Sequence, residues 1–174
     1  MQGTDKVQVR QGLTGIPFDS LHDGLATALG SIGPQVIPFL YPALKHKDRL
    51  VRAGAALAFI DLAVYSETPR PVLEEAATRV SRLLRDKEPF VRERAARVLG
   101  HMGSYASATV PAMTKALEDS DPRVRVGVAS TLGGIGRKAA PAIPALTARL
   151  KDKSPDVRRA AKWALKEIVP PRGR

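Results

Sequence analysis

Apolar residues recur at fixed offsets along this chain. Counted from Val51, Val91 and Val124, small residues stand four and five positions on: Ala55 and Ala56, Ala95 and Ala96, Val128 and Ala129. A large apolar residue follows at plus eight (Phe59, Leu99, Leu132, and Leu165 after Val157). Another follows at plus eleven (Leu62, Met102, Ile135, Ile168). Offsets of 0, 4, 8 and 11 share one face of an α-helix, so each stretch predicts an amphipathic helix B. Pro89, Pro122 and Pro155, flanked by Asp, Glu or Ser, suit a capped first turn. Gly100-x-x-Gly103 and Gly133-x-x-Gly136 read as helix C-caps. A second amphipathic stretch precedes each turn, as at residues 110–117 and 143–150, and predicts a helix A.

The turn between them repeats without gaps. Residues 84–92, 117–125 and 150–158 share Leu-x-Asp-x-x-Pro-x-Val-Arg, with arginines 92, 125 and 158 spaced by 33. Residues 44–52 are a looser copy, with His46 for Asp and Arg49 for Pro. Arg52 lies 40 residues before Arg92, which implies about seven inserted residues, placed at 66–71. Helix A, tight turn and helix B, repeated, predict an all-α chain: an α-solenoid of about four helix-turn-helix units. The expected units are 34–64, 71–103, 104–136 and 137–169. Residues 18–33 fit helix B loosely, through Leu21, Leu25, Ala26, Leu29 and Ile32 with His22 in the arginine slot, and are expected to be a degenerate half-repeat. Residues 1–17 are expected to form a tail or short leading helix, and 170–174 a basic tail.

These motifs resemble the HEAT-repeat family, in the short bacterial form also seen in phycobilin-lyase-like proteins. The family pattern of Pro in helix A, Asp at the turn and Val-Arg in helix B is matched by Pro111, Asp119, Val124 and Arg125, and by Pro144, Asp152, Val157 and Arg158. Thr78 replaces the proline in the second unit, and the first unit keeps Pro38, Val51 and Arg52 without the Asp. The resemblance covers about residues 34–169. It implies a superhelix whose B helices line the concave side and whose exposed B positions bind partners.

Departures from the repeat carry more information than matches. At plus five the alanines 26, 56, 96 and 129 give way to Lys162, and at plus nine Gly30, Ile60, Gly100 and Gly133 give way to Lys166. Both positions should face a following unit, so the two lysines predict a polar C-terminal cap. Trp163, the only tryptophan, stands where other units have Thr27, Leu57, Arg97 and Ser130. It is either a partner-binding anchor or a cover over the end of the core. The pairs Asp86 and Arg92, Asp119 and Arg125, and Asp152 and Arg158 are each six apart across a turn. Their recurrence favours a structural ladder of Asp–Arg and Arg–backbone bonds over a row of phosphate contacts.

Composition narrows the chemistry. The 174 residues contain no cysteine, which removes disulfides, cysteine-ligated zinc, iron–sulfur clusters and thiol nucleophiles. His22, His46 and His101 form no close pair, so no metal site is expected. HEAT-like di-iron hydroxylases rely on His-Glu pairs, and the chain has none. Gly133-Gly134-Ile135-Gly136-Arg137-Lys138 lacks the spacing and the Lys-Ser/Thr of a P-loop. Neither catalytic residues nor cofactors are assigned. No apolar run approaches a membrane span and no signal peptide is evident, so a cytoplasmic protein is the default, with an exported mature form as the alternative.

The expected function is that of a non-catalytic scaffold for a protein partner, carried by the exposed helix B positions Glu93, Arg94, Arg97, Arg123, Arg159, Trp163 and Lys166. The alternative is binding of nucleic acid or another polyanion. Net charge is +11, of which residues 137–174 carry +8, so an anionic contact is expected at that end through Arg137, Lys138, Lys162, Arg172 and Arg174. A bilin-lyase-like or regulatory role, implied by the resemblance alone, is a minor third reading. Oligomeric state defaults to monomer.

Overall fold

The structure, a computed structural model, describes residues 32–65 and 67–169. The expectations for residues 1–31 and 170–174, including Arg172 and Arg174, therefore lie outside the described residues. Among those described, all regular structure is helical. Four A/B pairs follow one another: α1 (Ile37–Ala43) and α2 (Arg49–Tyr65), α3 (Arg70–Ser81) and α4 (Pro89–Met102), α5 (Val110–Ala116) and α6 (Pro122–Ile135), α7 (Ile143–Arg149) and α8 (Pro155–Ile168). The B helices stack directly, α2 on α4, α4 on α6 and α6 on α8, with the A helices as a second layer.

The core lies between the layers. Its fully buried side chains include Phe59, Leu62, Leu73, Leu99, Met102, Met113, Leu117, Leu132 and Leu146. Alanines 56, 95, 96, 129 and 161 are also fully buried, and their small size lets successive B helices approach.

Proline placement explains why the A helices differ. Pro111 and Pro144 stand in the first turns of α5 and α7, and each short helix follows a 3-10 segment, Gly103–Thr109 and Gly136–Ala142. Pro38 follows Pro34–Val36 in the same way. A proline has no N–H to donate, so the α-helical hydrogen-bond ladder is interrupted at that point. Thr78 restores the N–H, and α3 runs unbroken for 12 residues. The insertion between the first two units is also shared out. Helix α2 has 17 residues where α4, α6 and α8 have 14, so part of it extends a helix rather than the loop.

Two sequence expectations need correction. Only Gly103 and Gly136 are C-caps, with φ of 54° and 68°. Gly100 and Gly133 lie inside helices and make room for the next B helix: a Cβ on Gly100 would come within 2.9 Å of Thr131 Oγ1, and one on Gly133 within 2.9 Å of Ala164 Cα. Of the expected side-chain caps beside the prolines, only Asp121 accepts from a helix N–H, that of Arg123 at 2.8 Å. Glu88 and Ser154 make no such bond.

Candidate partner-binding groove and the arginine ladder

The open face of the B layer forms a groove of about 740 Å³ across α4, α6 and α8. Its residues fall in repeat columns. One position before each repeat valine stand Phe90, Arg123 and Asp156; two positions after stand Glu93, Val126 and Arg159. Small residues of α6, Gly127 and Ser130, form the floor. Walls rise from α4 through Phe90 and Glu93, and from α8 through Arg159 and Trp163. Trp163 is 44% exposed, and its ring lies over Gly133, where a Cβ would meet it at 2.5 Å. Helix α6 thus lacks the side chains that would fill this space. A shallower groove of about 310 Å³ shares Glu93, Gly127 and Ser130 and reaches Arg97 and His101.

Its charges are locally matched. Arg123 donates to Asp121 Oδ2 at 2.7 Å, and Arg159 donates to Asp156. The bond from Arg123 holds the Asp121 carboxyl below its ordinary value despite some burial. The surface is therefore apolar at Phe90, Val126, Ala160 and Trp163, with paired ions around it.

Glu93, Arg123, Arg159 and Trp163 of the expected binding residues line the large groove, and Arg97 the shallow one. Lys166 is exposed on α8 but lines neither. Arg94 departs from the expectation of exposure. Only 11% of its side chain is exposed, because the guanidinium folds over the Phe90 ring at 5.1 Å. Phe90, Val126, Gly127, Ser130 and Asp156 were not among the expected residues. Phe90, Val126 and Asp156 stand in the variable columns flanking the repeat valine, which the helical offsets of the core do not use; Gly127 and Ser130, three and six positions after it, carry no such signal. Arg137 and Lys138 are exposed in the 3-10 segment before α7, and Lys162 is exposed on α8. No hydrogen bond or ion pair joins these three to another described residue.

Along the turns runs the arginine ladder. Arg92 donates from Nε and Nη2 to both oxygens of Asp119 at 2.6 and 2.8 Å, and from Nη1 to the carbonyls of Asp86 and Lys87. Arg52 grips Asp86 in the same way, at 2.6 and 2.8 Å, and Arg125 grips Asp152 at 2.9 and 2.7 Å. Each arginine thus closes its own turn through carbonyls and clamps the next turn through a carboxylate. Each Asp also accepts an N–H two residues on, from Glu88, Asp121 and Ser154. In the first turn His46 Nδ1 substitutes for the Asp, accepting from Asp48 N–H at 3.1 Å.

These bonds show in the proton affinities. Burial pushes the Asp86 carboxyl up, but the bonds from Arg52 and from the Glu88 N–H outweigh it and hold it below the ordinary value. Asp152 is held down chiefly by Arg125, against burial, with help from the Ser154 N–H. Bonds to Asp86 and Asp119 raise Arg52 and Arg92 respectively.

Among the described residues, no group of three His, Asp or Glu side chains could hold a metal ion, and no helix is long and apolar enough to cross a membrane.

Comparison with known proteins agrees with this geometry. Residues 76–166 match the family model of HEAT repeats. An engineered protein of known structure is 23% identical, with a TM-score of 0.62 over 90% of this chain and 76% of that one. The complex of CpcE and CpcF of phycocyanin lyase from Nostoc sp. PCC7120 is 24% identical, with a TM-score of 0.65 over 90% of this chain and 62% of that one. The chain thus spans less than two thirds of the lyase chain's length. At these identities the likeness is one of fold. No curated protein matches the sequence.

Proposed function

Since this chain belongs to the HEAT-repeat family, we propose that it is a non-catalytic scaffold that holds a protein segment in the groove across α4, α6 and α8. The observation that carries this reading is the groove itself: a floor of small residues on α6 between walls that present the apolar side chains of Phe90 and Trp163. Large aromatic side chains beside desolvated pockets carry much of the binding energy in protein interfaces. The pairing of Arg123 with Asp121 and of Arg159 with Asp156 favours a protein over a polyanion, since neither cation would meet a phosphate unopposed.

Affinity capture on the full chain, with and without nuclease, tests the proposal. Partners held by the wild type should survive nuclease and be lost with Val126→Glu, which puts a charge on the groove floor. Each captured partner should then shift the emission of Trp163 when added back as purified protein. Capture that disappears with nuclease, or that Val126→Glu leaves intact, would overturn it.

A further inference from the structure

Apart from the groove, we propose that the edge of α8 is a carboxylate socket, in which the Arg158 guanidinium, with Lys162 beside it, receives the Asp or Glu of an acidic turn on a partner protein. Four arginines occupy one repeat position, and all four anchor Nη1 on two carbonyls of their own turn. For Arg158 these are Asp152 O at 2.8 Å and Lys153 O at 3.0 Å, matching Arg125 on Asp119 O at 2.8 Å and Ser120 O at 3.2 Å. That anchoring orients the guanidinium, leaving Nε and Nη2 to face the stacking direction. In Arg52, Arg92 and Arg125 this pair holds an aspartate. At Arg158 it meets no acceptor among the described residues, and the side chain is exposed. Expected from its spacing to belong to the structural ladder, Arg158 keeps the carbonyl half of that role and lacks the carboxylate half.

The three filled sites define what fits the fourth. Each takes a carboxylate presented on a turn, with one oxygen also accepting a turn N–H. A planar fork already fixed in place loses little freedom on binding a carboxylate two-point. Lys162, one helical turn along from Arg158, adds attraction for an acidic partner. A second copy of this chain fits poorly. Its turn aspartates 86, 119 and 152 are already gripped, its first turn carries His46, and Lys162 and Lys166 would face their own copies in a tail-to-tail contact.

The test uses the full ¹⁵N-labelled chain and, as probe, an acetylated and amidated peptide of residues 117–122. On titration the Nε–Hε resonance of Arg158 should move saturably while those of Arg52, Arg92 and Arg125 stay in place. Asp119→Asn in the peptide, or Arg158→Lys in the protein, should weaken binding about fivefold or more, the loss of roughly one charge-assisted bond. Added salt should weaken it further. If Arg158→Lys disturbs the fold by its melting curve, Lys162→Glu, which alters no turn contact, should still weaken the peptide. An unmoved Arg158 resonance, unchanged affinity in either protein variant, or tighter binding of a DNA duplex than of the peptide would overturn the proposal. Because Arg158 and Lys162 line neither groove, Val126→Glu should leave this titration unchanged.

Discussion

The Arg92 and Asp119 side chains keep only 12% and 7% of their exposure, and each satisfies the other two-point. Removing one partner from such a pair leaves an uncompensated charge. Arg92→Met should therefore lower unfolding stability by about 3 kcal/mol or more. Arg159→Ala, in an exposed pair, should barely move the urea midpoint. Thr131 offers a smaller case: its hydroxyl donates to the buried carbonyl of Ala96 at 2.9 Å, so Thr131→Val should cost about 1 kcal/mol. The six-residue spacing of Asp and Arg was legible in the sequence. The grip across 27 residues was only half legible, because it depends on how one unit seats on the next. Arg158 was legible only indirectly, through Lys162 and Lys166 at positions that should face a following unit, because its own turn repeats the pattern of Arg125.

Adjacent glycines differ at the scale of the element. A Cβ on Gly133 would strike the Trp163 ring at 2.5 Å and the α8 backbone at 2.9 Å, whereas one on Gly134 would meet nothing within 4 Å. Gly133→Ala should push α8 away from α6 and cost about 1–3 kcal/mol, with altered Trp163 emission. Gly134→Ala should instead stabilise by up to about 1 kcal/mol, by restricting the unfolded chain. Calorimetry of both variants checks the contrast. Sequence offsets placed all four B helices, since the apolar period is strong and repeats in register. They gave no separate roles to these glycines, because a close approach between helices leaves no local signature. The groove was legible only through its charged and aromatic members. Its floor is made of small residues, which look unremarkable until their neighbours are in place.

At the scale of the whole molecule, two rungs and one helix cap act together in acid. Asp86, Asp121 and Asp152 hold their protons less tightly when folded than when unfolded. The stability they contribute is fully present above the ordinary carboxylate range, about pH 4, and is lost as pH falls through the lower folded values. Urea midpoints should accordingly be flat near neutrality and fall steeply in acid. A pH-independent midpoint down to about pH 3 would contradict this. Helices α4 and α6 each have a B neighbour on both sides, so their amides should exchange more slowly than those of α8. The ladder also has a direction: every guanidinium reaches forward and none reaches back. Among the 33-residue units length therefore changes in whole steps; the longer step from Arg52 to Arg92 keeps its rung because part of its extra length extends α2 rather than the turn. A second copy of residues 104–136 inserted after Gly136 gives every new arginine an aspartate and every new aspartate an arginine. A copy one residue shorter rotates all that follows by about 100° and strands the charges on both sides of the seam. Growth among those units is quantised, and the quantum is the turn motif together with the two helices it joins.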